Sequence, residues 1–211
     1  MSDRSIRLHS LAGIVEDLWG MPPVPKKPQK QAEPLPPPVR PEFPPFETLW
    51  KVADETVDWT EALAHAEPTD GLTAPEQWAM YHRHAPAVLR GEVEAYIEVL
   101  RAVNPLGDLA HYASGFDVTA ESADCLIVRF AALPAYLPED MEKCRRYLAG
   151  VSLRAARDLF ALLPVMQVKA EAALDGKTLL TVSFEKQEMM KVRFAFIDPV
   201  AFVEKCGGVF V

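Results

Sequence analysis

The chain has 211 residues, 49% hydrophobic and 25% charged, a composition that excludes a wholly disordered or collagen-like chain and predicts one folded domain with an addition. A net charge of −8 argues against nonspecific binding to nucleic acid or an anionic membrane, because both need a positive field. There is no run of about 18 apolar residues, so no membrane-spanning helix is expected.

Residues 1–21 read as an amphipathic helix, with Leu8, Leu11, Val15 and Leu18 on one stripe that Ile14 and Trp19 widen. So short a helix is marginal alone in water, and its apolar face needs a cover. Three readings stay open: docking into a protein partner, docking in cis or self-association, and disorder until bound. Arg4 and Arg7 are the only cations on its polar face, too few for a membrane-surface helix. The segment lacks the apolar core and cleavage site of a signal peptide, and Asp3, Glu16 and Asp17 spoil a transit peptide, so a cytoplasmic protein is expected.

Residues 22–45 hold 11 prolines in 24 positions. Proline fixes φ and lacks the backbone donor, so this stretch predicts an extended linker of ~70 Å at ~3.1 Å per residue. Its alternative use is as a ligand for an aromatic groove, since Pro34-Leu35-Pro36-Pro37 fits a loose PxxP pattern.

A single α+β domain is expected over 46–211. Its first part, 46–111, holds most of the chain's acidity, at net −8. Helices are predicted over 47–66, from a Thr73 cap with Pro75 and Glu76 to about His84, and over 87–103. The second part, 112–211, predicts strands at 112–118 and 125–132, then a long helix over 139–163 that Gly150 bends or breaks. A meander follows, with strands 165–174 and 177–184 hinged on Asp175-Gly176, a third strand at 190–197, and a short helix at 198–205. The fold class is therefore α+β, a mostly antiparallel sheet with a long packed helix.

No catalytic, cofactor or metal set emerges. Cys125, Cys144 and Cys206 fit free thiols in a reducing compartment. His82 and His84 are two apart, whereas a helical metal pair needs three or four. Asp117, Asp124 and Glu171 are the carboxylates available for a metal-dependent nuclease, but Lys169-Ala170-Glu171 runs in the reverse order. The long helix places Lys143, Arg146, Arg154 and Arg157 within about 80° of one another, opposite an apolar face of Cys144, Leu148, Val151, Ala155, Leu159 and Leu162. Such a stripe can clamp phosphates or carboxylates, or it pairs with the acids of 46–111.

The runs Ile97–Leu100, Asn104-Pro105-Leu106, Ser114-Gly115-Phe116, Leu126-Ile127-Val128, Leu153–Pro164 and Ile197-Asp198-Pro199 resemble an uncharacterised bacterial domain family. The resemblance spans about residues 97–202, is most specific at Leu153–Pro164, and implies a bacterial origin with no activity to transfer. The leading functional reading is a non-enzymatic interaction or adaptor protein, with Leu8, Leu11, Val15, Leu18 and Trp19 as the partner-binding stripe. Its alternative is a nucleic-acid-associated accessory or defence protein that uses the basic stripe for anion binding, although the overall charge makes nucleic acid a weak partner.

Overall fold

A computed structural model describes residues 45–69, 72–137 and 139–211. Contacts divide the chain into Met1–Pro41 and Glu42–Val211, and every element below belongs to the second unit. The predicted helix of 1–21 and all but the last residue of the 22–45 linker lie outside the described residues.

The expected helix over 47–66 is replaced by a 3-10 turn at Phe46–Lys51, an extended stretch, and helix α1 at Trp59–Ala64. The physical reason is that the long helix, α4 (Met141–Leu162), captures the backbone groups an α-helix would use internally. Arg157 Nη1 donates to the Trp50 and Val52 carbonyls at 2.5 and 3.0 Å, Asp158 Oδ1 accepts the Asp54 amide at 2.9 Å, and the Val57 amide donates to the Ala161 carbonyl at 2.8 Å. Asp58 then restarts a helix by accepting the Thr60 and Glu61 amides.

Helix α2 spans Pro75–Leu89 and α3 spans Val93–Val103. The cap position of α2 is Ala74 rather than Thr73, with Pro75 in the first turn, where its missing donor costs nothing. The helix runs through Pro86 instead of stopping before it, and Gly91 at φ 75° makes the turn into α3. The helix continues past the expected end near His84 because the turn that contains Pro86 and lacks one hydrogen bond is held by buried Ala85 and Val88.

Five strands follow: β1 (Ala113–Ser122), β2 (Cys125–Ala132), β3 (Gln167–Leu174), β4 (Lys177–Glu185) and β5 (Val209–Phe210). They lie in chain order, with β2 and β3 parallel and the other three pairings antiparallel. The fold is thus α+β with a mostly antiparallel sheet and a long helix. Helix α4 forms the crossover that a parallel pair requires. It is one continuous helix, unbroken at Gly150. Leu126, Val128 and Phe130 of β2 alternate with exposed or half-exposed neighbours and join Val168, Ala170 and Ala172 of β3 and Leu180, Val182 and Phe184 of β4 in the core.

The third strand expected at 190–197 is not formed. The chain leaves β4 directly into helix α5 (Lys186–Met190), and a 3-10 turn covers Phe194–Phe196. The apolar alternation instead packs Val192 and Phe194 against the core, and the Phe194 ring meets Phe202 of helix α6 (Pro199–Lys205) edge-on. The edge of β4 is taken by β5, which reaches it by a turn through Gly207 at φ 78°. A Cβ at Gly208 would lie 2.4 Å from the Val203 side chain.

Candidate functional site

From Tyr147 to Leu162, α4 is buried on every side except at Arg157, so its expected far side does not face water. The extended stretch at 52–58 and the 3-10 turn before it lie over that side, held by the Arg157, Asp158 and Ala161 bonds above. Of the described polar and charged residues, only Ser152, Arg154 and Asp158 are fully buried.

Arg154 is the centre of a carboxylate cage. Its Nε donates to Asp158 Oδ2 at 2.5 Å, one helical turn on, and its Nη2 reaches Asp54 Oδ1 and Asp108 Oδ2, each at 3.2 Å. One guanidinium thus faces three carboxylates. Burial pushes the Asp158 carboxyl up to about 7, although Arg154 and the Asp54 amide pull the other way. Burial raises Asp54 too, against the pull of Arg154. Burial lowers the Arg154 guanidinium, but the surrounding carboxylates outweigh it and hold the group above its ordinary value.

The other members of the predicted basic stripe separate. Arg146 pairs with Asp198 at 2.8 Å and Glu142 at 4.0 Å. Arg157 sits 4.2 Å over the Phe194 ring and holds the two carbonyls of the 46–58 segment. Lys143 is exposed. Arg154, with Asp54 and Asp108 of the 46–111 segment as partners, follows the pairing alternative of the stripe. The partner-binding residues Leu8, Leu11, Val15, Leu18 and Trp19 lie outside the described residues.

A cavity of about 230 Å³ opens beside this cage. Ala53, Phe160, Met189 and Phe194 form apolar walls, with Asp54, Arg157 and Lys186 among them. Lys186 Nζ donates to the Phe160 carbonyl at 3.1 Å and the Leu163 carbonyl at 3.4 Å, satisfying carbonyls that the end of α4 leaves open. Burial lowers both the Lys186 ammonium and the Arg157 guanidinium from their ordinary values.

Other candidates are placed elsewhere. Glu171 pairs with Arg129 at 2.8 Å and Lys169 with Glu121 at 2.5 Å, all on the sheet face away from the core. His82 Nδ1 lies 2.7 Å from the Ala62 carbonyl and His84 Nδ1 lies 3.5 Å from Glu98. All three cysteines are free thiols. Among the described residues no three His, Cys, Asp or Glu side chains are grouped to hold a metal ion, and no helix is long and apolar enough to cross a membrane.

Reading the sequence missed Asp54, Asp108, Asp158 and Lys186 as site residues. Only the Arg154–Asp158 spacing of four was available as a signal, a charged pair followed by the apolar run Leu159–Leu163. Comparison with family models, curated proteins and solved structures returns no match for the chain.

Proposed function

We propose that the chain is a non-enzymatic interaction or adaptor protein, in which the Leu8, Leu11, Val15, Leu18 and Trp19 stripe recruits a protein partner and the α+β body anchors it. The observation that carries this reading is the joining of an amphipathic segment to a fixed point by 24 proline-rich residues. At the start of the body, Phe46 meets Tyr136 and Tyr147 edge-on at 5.9 and 6.1 Å, and Leu49 and Trp50 are buried. A tether leaving a rigid point raises the effective concentration of whatever its far end binds. The resemblance over about residues 97–202 is to an uncharacterised bacterial domain, which favours a bacterial origin within this reading and brings no activity with it. A cytoplasmic location belongs to the same reading.

The nucleic-acid alternative rests on Lys143, Arg146, Arg154 and Arg157. Arg154 and Arg146 already answer carboxylates, which weakens it.

The test is purification of the full chain from its native cells beside Leu11→Asp/Leu18→Asp, with thermal melts of both. A partner that is lost from the variant at an unchanged melt supports recruitment. A collapsed melt assigns the stripe to the folded body, and identical partners from both overturn the proposal. Nucleic acid in both, released steeply by salt, favours the alternative.

A further inference from the structure

We infer that the cavity at the end of α4 is a binding site for a small carboxylate with an apolar or aryl tail, its charge answered by Lys186 and Arg157. Both side chains are partly buried, and among the described residues neither has a carboxylate within ion-pair distance. That sets them apart from Arg154 of the same helix, which has three. A cation withdrawn from water without a counter-ion is destabilising, and an anion delivered into the cavity relieves that penalty.

The competing explanation is that both cations only cap carbonyls. Lys186 meets two carbonyls with an ammonium that has three donors. Arg157 uses Nη1 for the Trp50 and Val52 carbonyls, one nitrogen of a five-donor fork. A helix C-terminus presents only about half a negative charge, so capping α4 leaves Lys186 incompletely answered. Arg157 meets only carbonyl dipoles and one face of the Phe194 ring at 4.2 Å. Asp54 also lines the cavity, but its Oδ1 is 3.2 Å from Arg154, on the cage side. The cavity therefore holds two cations, Lys186 and Arg157, and one carboxylate already engaged by Arg154, among apolar walls.

Those walls set the tail. Phe160, Phe194, Met189 and Ala53 offer two rings, a flexible thioether and a methyl group, a lining that accepts a ring or a short alkyl chain. At about 230 Å³ the cavity is smaller than most drug-sized ligand pockets, which limits the ligand to a compact acid. Met190, 78% exposed, stands at its rim and offers a position where charge can be changed without disturbing the core.

The test titrates the full chain at pH 7 with benzoate and hexanoate, against benzamide and hexan-1-ol as uncharged counterparts, by calorimetry. At least one acid is expected to bind saturably and at least about tenfold more tightly than its counterpart, a difference of about 1.4 kcal/mol. Lys186→Met is expected to erase that preference. Because this variant also loses a helix cap, Met190→Asp supplies the decisive arm. It should weaken the acid at least about fivefold through like-charge repulsion and leave the uncharged compound unaffected. Equal affinity for acid and counterpart, no saturation by about 10 mM, or acid binding unchanged in Met190→Asp each overturns the inference.

Discussion

The Arg154 guanidinium donates to the Asp158 carboxylate at 2.5 Å, and the two side chains are 5% and 0% exposed. This pair ties together segments about a hundred residues apart in sequence. Asp158 also accepts the Asp54 amide, and Arg154 also reaches the Asp54 and Asp108 side chains. The cage thereby fixes the extended stretch that covers α4 and borders the cavity.

Removing one member should cost much more than removing both. Arg154→Met leaves Asp158 buried and uncompensated, with an expected loss of about 3–5 kcal/mol. Arg154→Met/Asp158→Leu removes both charges and leaves mainly the Asp54 amide without its acceptor, about 1–3 kcal/mol. Urea unfolding of both single variants and the double variant closes the cycle. A double variant as unstable as the sum of the singles would show that the pair is not coupled.

The same cage predicts a stability that falls between weakly acidic and neutral pH. Asp158, raised to about 7 by burial, and Asp54, also raised, hold protons in the folded state at pH values where the unfolded chain has released them. Their contribution to stability is therefore fully present below the ordinary Asp value near 4 and is lost as pH rises through about 7. Exposed Glu121 and Glu188 are lowered by Lys169 and Lys191 and slope the other way, but only at pH values below the ordinary Glu value. Urea midpoints should thus be lower at about pH 8 than at about pH 5.5, and Asp158→Asn should flatten the difference. An equal slope in the variant would assign the pH dependence to other groups.

Elements held by local chemistry were legible in the sequence, and those held by remote partners were not. The hairpin of β3 and β4 follows from Asp175-Gly176, whose φ values of 49° and 76° are the positive ones such a turn needs. The alternation of Cys125–Ala132 marks β2, and Asp198 caps α6 through the Ala201 amide. The 52–58 stretch reads as helix because Leu49, Val52, Ala53 and Val57 recur at helical spacing, whereas the groups that extend it belong to residues 157, 158 and 161. The basic stripe shows the same limit. Helical spacing groups Arg154 with Arg157 correctly, yet nothing in that spacing reveals that one faces acids and the other carbonyls.

Gly150 gives the sharpest contrast between local propensity and packing. Glycine inside a helix costs up to about 1 kcal/mol relative to alanine, and on that ground the residue reads as a break. In the continuous α4 it serves as a place of close approach: an added Cβ would lie 3.3 Å from Trp50 Cε3 and 3.5 Å from the Phe46 carbonyl. Gly150→Ala gains helix propensity and loses contact space, so its stability should stay within about 1 kcal/mol of the parent. Gly150→Leu has no such balance, because its branch must push the Trp50 ring away and draw the Trp50 carbonyl from Arg157. The expected cost is about 1–3 kcal/mol in urea unfolding. Among the indole N–H signals in a nitrogen-15 spectrum, that of Trp50 should move most. A Gly150→Leu protein as stable as the parent, with that signal unmoved, would mean that α4 and the 46–51 turn are not packed as tightly as described.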